Sequence, residues 1–221
     1  MDIGRGGAKW PALTLLLLLP VFALGQSGTA WPRDEFLGQL ADSTLTLTRQ
    51  KVSYDPGYYR LAYPNGDVPA NRGVCTDVVV RAYRKMGIDL QKEVHEDMTA
   101  HFDLYPHRWG LTRPDPNIDH RRVPNLMVFF TRHGMALEPS GEPDDYRPGD
   151  VVCWDLGRGI THIGIVSPLR SADGRRHRIV HNIGGGQVLE DCLFRFPVIG
   201  HYRYPVDRNP DGQPNPMNQK P

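Results

Sequence analysis

Thr161-His162-Ile163-Gly164-Ile165-Val166 alternates as a half-buried strand does. With a period of two, His162, Gly164 and Val166 share one face and Ile163 and Ile165 the other. The isoleucines form the natural core face, which turns His162 toward a cleft. Upstream, Arg147-Pro148-Gly149-Asp150 leads into the β run Val151-Val152-Cys153-Trp154. Downstream, Ile179-Val180-His181-Asn182 and Val198-Ile199-Gly200-His201-Tyr202 give two more, separated by turn residues. Gly184-Gly185-Gly186 lacks the Gly-Lys-Ser/Thr ending of a phosphate loop and reads as a flexible strand connection.

The chain before these strands carries helical periods instead. Residues 36–52 open with apolar side chains at helical spacing, and Tyr54-Asp55-Pro56-Gly57 ends that helix. Residues 76–86 place Val78, Val79, Ala82 and Met86 three or four apart with Gly87 as a cap, although Val78-Val79-Val80 leaves a strand start open. A short helix is expected after Leu90. Another spans 122–134, with Val123, Leu126, Met127 and Phe130 on one face. Helices first and turn-separated strands after indicate an α+β fold with an antiparallel sheet.

Arg5 and Lys9, an apolar run over residues 12–24 and the Ala23-x-Gly25 exit have the layout of a secretory signal, with an uncleaved anchor as the alternative. The expected division is a signal peptide over 1–25, one domain over 26–204 and a disordered tail over 205–221. The protein is read as exported, periplasmic or secreted, meeting the membrane only through the signal segment, with a monomer as the default. A formal net charge of +1 without long basic blocks argues against nucleic-acid binding. Of the three cysteines, Cys153 and Cys192 could pair and leave Cys75 free; the alternative is three reduced, buried thiols.

A free thiol in an oxidising compartment points to chemistry. Cys75 falls at the first turn of a helix, where unpaired N–H groups and the helix dipole favour a thiolate. His162 can serve as base. His181 and Asn182 point to opposite faces of one strand, so one of them can hold the His162 ring. His95-Glu96 and His101 do not make a zinc helix, because the second His comes at i+6 rather than i+4; no metal or other cofactor is expected.

Gly149-Asp150-Val151-Val152, residues 161–166 and Val180-His181-Asn182 together resemble the NlpC-type cell-wall cysteine peptidases, a branch of the papain-like fold. Residues 67–77 and 117–126 are similar to a bacterial secreted family of unknown function within that superfamily. The resemblance implies a nucleophile-bearing helix packed on an antiparallel half-barrel, with Cys75 as nucleophile, His162 as general base and acid, and His181 as the orienting residue, Asn182 in reserve. It further implies cysteine peptidase or amidase activity on peptide bonds, those of peptidoglycan stem peptides first. Around the nucleophile, Val74-Cys75-Thr76-Asp77 departs from the usual Asp-Cys-Ser-Gly. Arg121 and Arg122, with Arg108 and with Asp77 beside the thiol, are the candidate substrate-binding residues. A packed loop with solvated charges is the plainer reading of those arginines. Two other functions compete: a catalytically inactive cell-wall binding or assembly module, and a secreted toxin using the same chemistry.

Overall fold

The computed structural model describes Met1 and residues 33–205, so the expected signal peptide and nearly all of the expected tail lie outside the described residues. The chain divides into a unit of residues 1–30 and a unit of residues 31–221, and every element below belongs to the second. Among the described residues no helix is long and apolar enough to cross a membrane.

Helix α1 (Arg33–Leu47) buries Phe36, Leu37, Leu40, Ala41, Thr44 and Leu47. It stops short of the expected residue 52. The Thr46 and Thr48 hydroxyls donate to the carbonyls of Ser43 and Leu45, and the N–H groups of Thr48, Arg49 and Gln50 bond three residues back, which tightens the last turn. Helix α2 (Cys75–Lys85) starts where the Asp77 carboxylate accepts the Val74 N–H at 2.7 Å. Val78, Val79 and Val80 are all buried, and that packing overrides the low helix propensity of the β-branched run. Helix α3 (Leu90–Ala100) is capped by Asp89, and helix α4 (Val123–His133) carries Pro124 in its first turn, where a missing N–H costs nothing.

Strands β1 (Ser53–Tyr54) and β2 (Arg72–Gly73) form a small parallel pair. The main sheet contains β3 (Met135–Leu137), β4 (Val151–Asp155), β5 (Thr161–Arg170), β6 (His177–His181), β7 (Val188–Glu190) and β8 (Val198–Arg203). Its order is β3-β8-β4-β5-β6-β7 and every pairing is antiparallel, so the fold is α+β. Gly149, at the entrance to β4, has φ +89, and a Cβ there would lie 2.3 Å from the Leu37 carbonyl oxygen; α1 can approach only because the side chain is missing.

The register sorts the sheet into two faces. Cys153 pairs with Ile163, and together with Val151, Ile165, Val180 and Tyr202 they pack in one cluster with side chains of α1, α2 and α4. Trp154 pairs with His162 on the other side, where Val152, Val166 and Ile179 pack with Tyr146, Cys192 and Leu193. Both faces are therefore covered. His162 is only 5% exposed and does not look into open solvent, which corrects the expectation of a cleft-facing ring.

Candidate functional site

Cys75 opens α2 and packs in the helix-side cluster at 7% exposure. The backbone N–H groups of Ile163, Thr76 and Cys75 itself face its sulfur and favour the thiolate, yet burial outweighs them and pushes the thiol up to about 11. A standing thiolate, expected from the helix start, is thus overturned by desolvation. Tyr54, half-exposed on β1, has its phenol raised by burial first and by the charge of Cys75 next.

Asp77 and Arg121 are brought together, but for structure. Arg121 Nε and Nη2 donate to the two Asp77 carboxylate oxygens at 2.9 and 3.0 Å, and Nη1 donates to the Gly57 carbonyl at 2.8 Å. Both side chains are buried, and their forks are used up on each other and on backbone. That corrects their assignment as substrate ligands: the pair locks the start of α2 to the loop after β1. Arg122 lies with its guanidinium 4.4 Å from the Trp109 ring centroid. Arg108 is exposed. His95 bonds to Asp119 at 2.8 Å whereas His101 lies near Asp97, so those two rings do not converge.

His162 and His181 do converge. His162 Nε2 and His181 Nδ1 are 2.8 Å apart with the rings edge to face, and Trp154 leans on the His162 ring. Burial holds both imidazoles neutral: it lowers His162 to about 3, with His181 as a second cause, and it lowers His181 as well. Gly164 makes the approach of the two strands possible, since a Cβ there would meet Ile179 Cγ2 at 2.7 Å and His181 Cβ at 3.1 Å. Asn182, on the alternate face, donates to the Gly73 carbonyl at 3.1 Å and so anchors the strand that precedes Cys75. The ring partner of His162 is His181. Among the described residues no hydrogen bond joins Cys75 to His162; what faces the sulfur is the backbone of Ile163, the next residue of β5.

The chain of contacts continues past His181. Its Nε2 lies 3.3 Å from Glu190 Oε2 and 3.5 Å from Cys192 Sγ. All three cysteines are free, which corrects the considered disulfide: Cys153 packs on the helix side of the sheet and Cys192 on the other. His181, Glu190 and Cys192 offer ligand atoms that all lie within 4.8 Å of one another, a set that could hold a metal ion. This grouping was missed from sequence. The available signal was parity: across a hairpin closed by the glycine run, Glu190 opposes Ile179, two residues from His181, and Cys192 keeps the parity of Glu190.

No solved structure matches this chain. A protein of Escherichia coli (strain K12) described as "Uncharacterized protein YijF" is 51% identical over 165 residues, which cover 75% of this chain and 80% of that protein. The model of a family described as a domain of unknown function, DUF1287, matches residues 41–204, and the chain belongs to that family.

Proposed function

We propose that the chain is an exported cysteine hydrolase of the NlpC type, cutting amide bonds in peptidoglycan stem peptides. The observation that carries this reading is the Ile163 N–H facing the Cys75 sulfur, which sets the thiol against the strand residue next to His162, whose ring is in turn held by His181. Nucleophile and base then come from α2 and the start of β5, on opposite faces of that strand, with His181 holding the base.

With thiol and imidazole both neutral at rest, the proton moves in the attack itself. Cys75 gives its proton to His162 Nδ1, the ring nitrogen that His181 leaves unused, while the sulfur adds to the amide carbonyl carbon. The C–N bond breaks as His162 returns the proton to the leaving amine. Water, deprotonated by His162, then displaces the thiol from the acyl group. The Cys75 backbone N–H at the start of α2 is the first donor for the developing oxyanion. A cleft of about 600 Å³ between residues 48–54 and 184–188 has Tyr54 in its wall together with Arg49 and Lys51, cations suited to the carboxylates of an acidic peptide.

The test is mass spectrometry of muropeptides incubated with wild-type protein and with Cys75→Ala. Cleavage by the wild type and background turnover in the variant are expected; equal rates in both reject Cys75 as nucleophile. The high thiol pKa and the missing Cys75–His162 hydrogen bond favour one second reading, a catalytically inactive wall-binding module. That module predicts alkylation of Cys75 no faster than of Cys153 and Cys192, and no effect of His162→Ala on it.

A further inference from the structure

We infer that His181, Glu190 and Cys192 form a binding site for a divalent cation of the zinc class, and that the bound cation controls the His162–His181 pair. A tetrahedral zinc, with bonds of about 2.0–2.2 Å to nitrogen and oxygen and about 2.3 Å to sulfur, sets its N and O ligands about 3.3 Å apart and its N and S ligands about 3.6 Å apart. The distances from His181 Nε2, 3.3 Å to Glu190 Oε2 and 3.5 Å to Cys192 Sγ, have those values. Two ligand atoms converge on one ring nitrogen, which by itself carries a single proton or a single lone pair and serves only one of them. A cation serves all three groups.

The surroundings have the other features of such a site. Nitrogen, thiolate and carboxylate donors together suit a borderline-soft cation better than calcium or magnesium. The second nitrogen of His181 is already engaged by His162, as the outer partner of a metal-bound imidazole is. Arg195 Nη1 donates to Glu190 Oε2 at 2.8 Å and orients that carboxylate. Entry is from the Glu190 side: its side chain is 35% exposed, and a hollow of about 270 Å³ runs along Cys192 between Arg176 and Arg195. On binding, Cys192 releases its proton to solvent and the fourth position is left to water.

Occupancy has a consequence that rests on the hydrolase reading. A cation on Nε2 requires the His181 proton on Nδ1, where it donates to His162 Nε2. His162 then carries its own proton on Nδ1 and cannot accept one from Cys75. The cation is a brake.

Titration of the metal-free full-length protein with cobalt(II), followed by zinc(II) competition, tests the site. One equivalent should bind and give a thiolate-to-cobalt charge-transfer absorption, displaced by zinc. Cys192→Ser should lose that absorption, Cys153→Ser should keep it, and Glu190→Gln, at a half-exposed position that leaves the core intact, should weaken binding at least about tenfold. A cobalt spectrum without the charge-transfer absorption, or equal affinity in Glu190→Gln, overturns the site. Muropeptide hydrolysis is then followed against zinc, each protein relative to its own metal-free rate: the wild type should lose activity along the binding curve and Glu190→Gln should resist. Full activity at full occupancy overturns the brake. Charge-transfer absorption in a protein that hydrolyses nothing when metal-free overturns the hydrolase reading and leaves the metal site standing.

Discussion

The two faces of β5 bury polar groups by opposite means. On the helix side, Asp77 and Arg121 remain as a bidentate ion pair wrapped around the start of α2, with side chains 4% and 1% exposed. On the other side, His162 and His181 are kept neutral by the same desolvation and are joined by one hydrogen bond. A permanent pair fixes backbone and has no proton to exchange. A neutral imidazole pair has protons to move, and it is the part of the molecule suited to acid–base work. Cys75 lies on the helix side, packed with Ile163, whereas the imidazole pair lies on the other side of the same strand.

The largest expected effect breaks the helix-side pair. Arg121→Leu leaves the Asp77 carboxylate buried without its partner and should lower unfolding free energy by about 3–5 kcal/mol in urea titrations. Combining it with Asp77→Asn should recover much of that loss, because the orphaned charge goes too. A loss under about 1 kcal/mol for the single variant would mean that water reaches Asp77 and that the helix face is not the dry, locked region described.

The next effect belongs to the imidazole side and has a definite sign. Native His162 is neutral down to about pH 3, whereas the unfolded chain takes up a proton near 6.5, so the unfolded state binds more protons between those values. The stability is fully present above the unfolded value and is lost as pH falls through the window. Between about pH 7 and about pH 4 that loss is about 3 kcal/mol from His162. His120, also lowered to about 3 by burial, adds to it with the same sign. His162→Gln should therefore flatten the acid limb of stability against pH relative to wild type while His120 keeps part of the slope. An unchanged limb would place His162 in water.

Much of this architecture could be read from periodicity. The isoleucines of β5, the Val-Val run of β4 and the apolar stripes of α2 and α4 announce themselves because burial repeats at fixed spacing over several residues. Strands β3 and β7, with three residues each, do not, and β7 is the one that brings Glu190 to His181. The choice between His181 and Asn182 depended on parity across two strands: Gly164 pairs with His181, which puts that ring on the face of His162 and turns Asn182 toward Gly73. Cys75 was legible as the first residue of a helix, but its protonation was not, since a helix start and three facing N–H groups argue one way and burial the other, and only packing shows which prevails. Asp77 and Arg121 were misread for a related reason. Forty-four residues apart in sequence, they carry no local sign that they consume each other's hydrogen bonds.

The smallest expected effect is no effect, and it tests whether the sheet separates its two faces at all. Cys153 has its thiol pushed up by burial and next by Cys75, and both cysteines belong to the helix-side cluster. The Cys192 sulfur neighbours His181 on the other side. A bond between them would have to pass through β4 and β5, and disulfide geometry, with Cα atoms usually about 4.4–6.8 Å apart, does not span a sheet. Thermal unfolding of protein purified without reductant should therefore have the same midpoint with and without a strong reducing agent. A native disulfide in a domain of this kind contributes about 2–5 kcal/mol, so its reduction would lower the midpoint by about 5 °C or more. A shift of that size would mean that the two faces are joined covalently, and it would also remove Cys192 from the ligands available to His181.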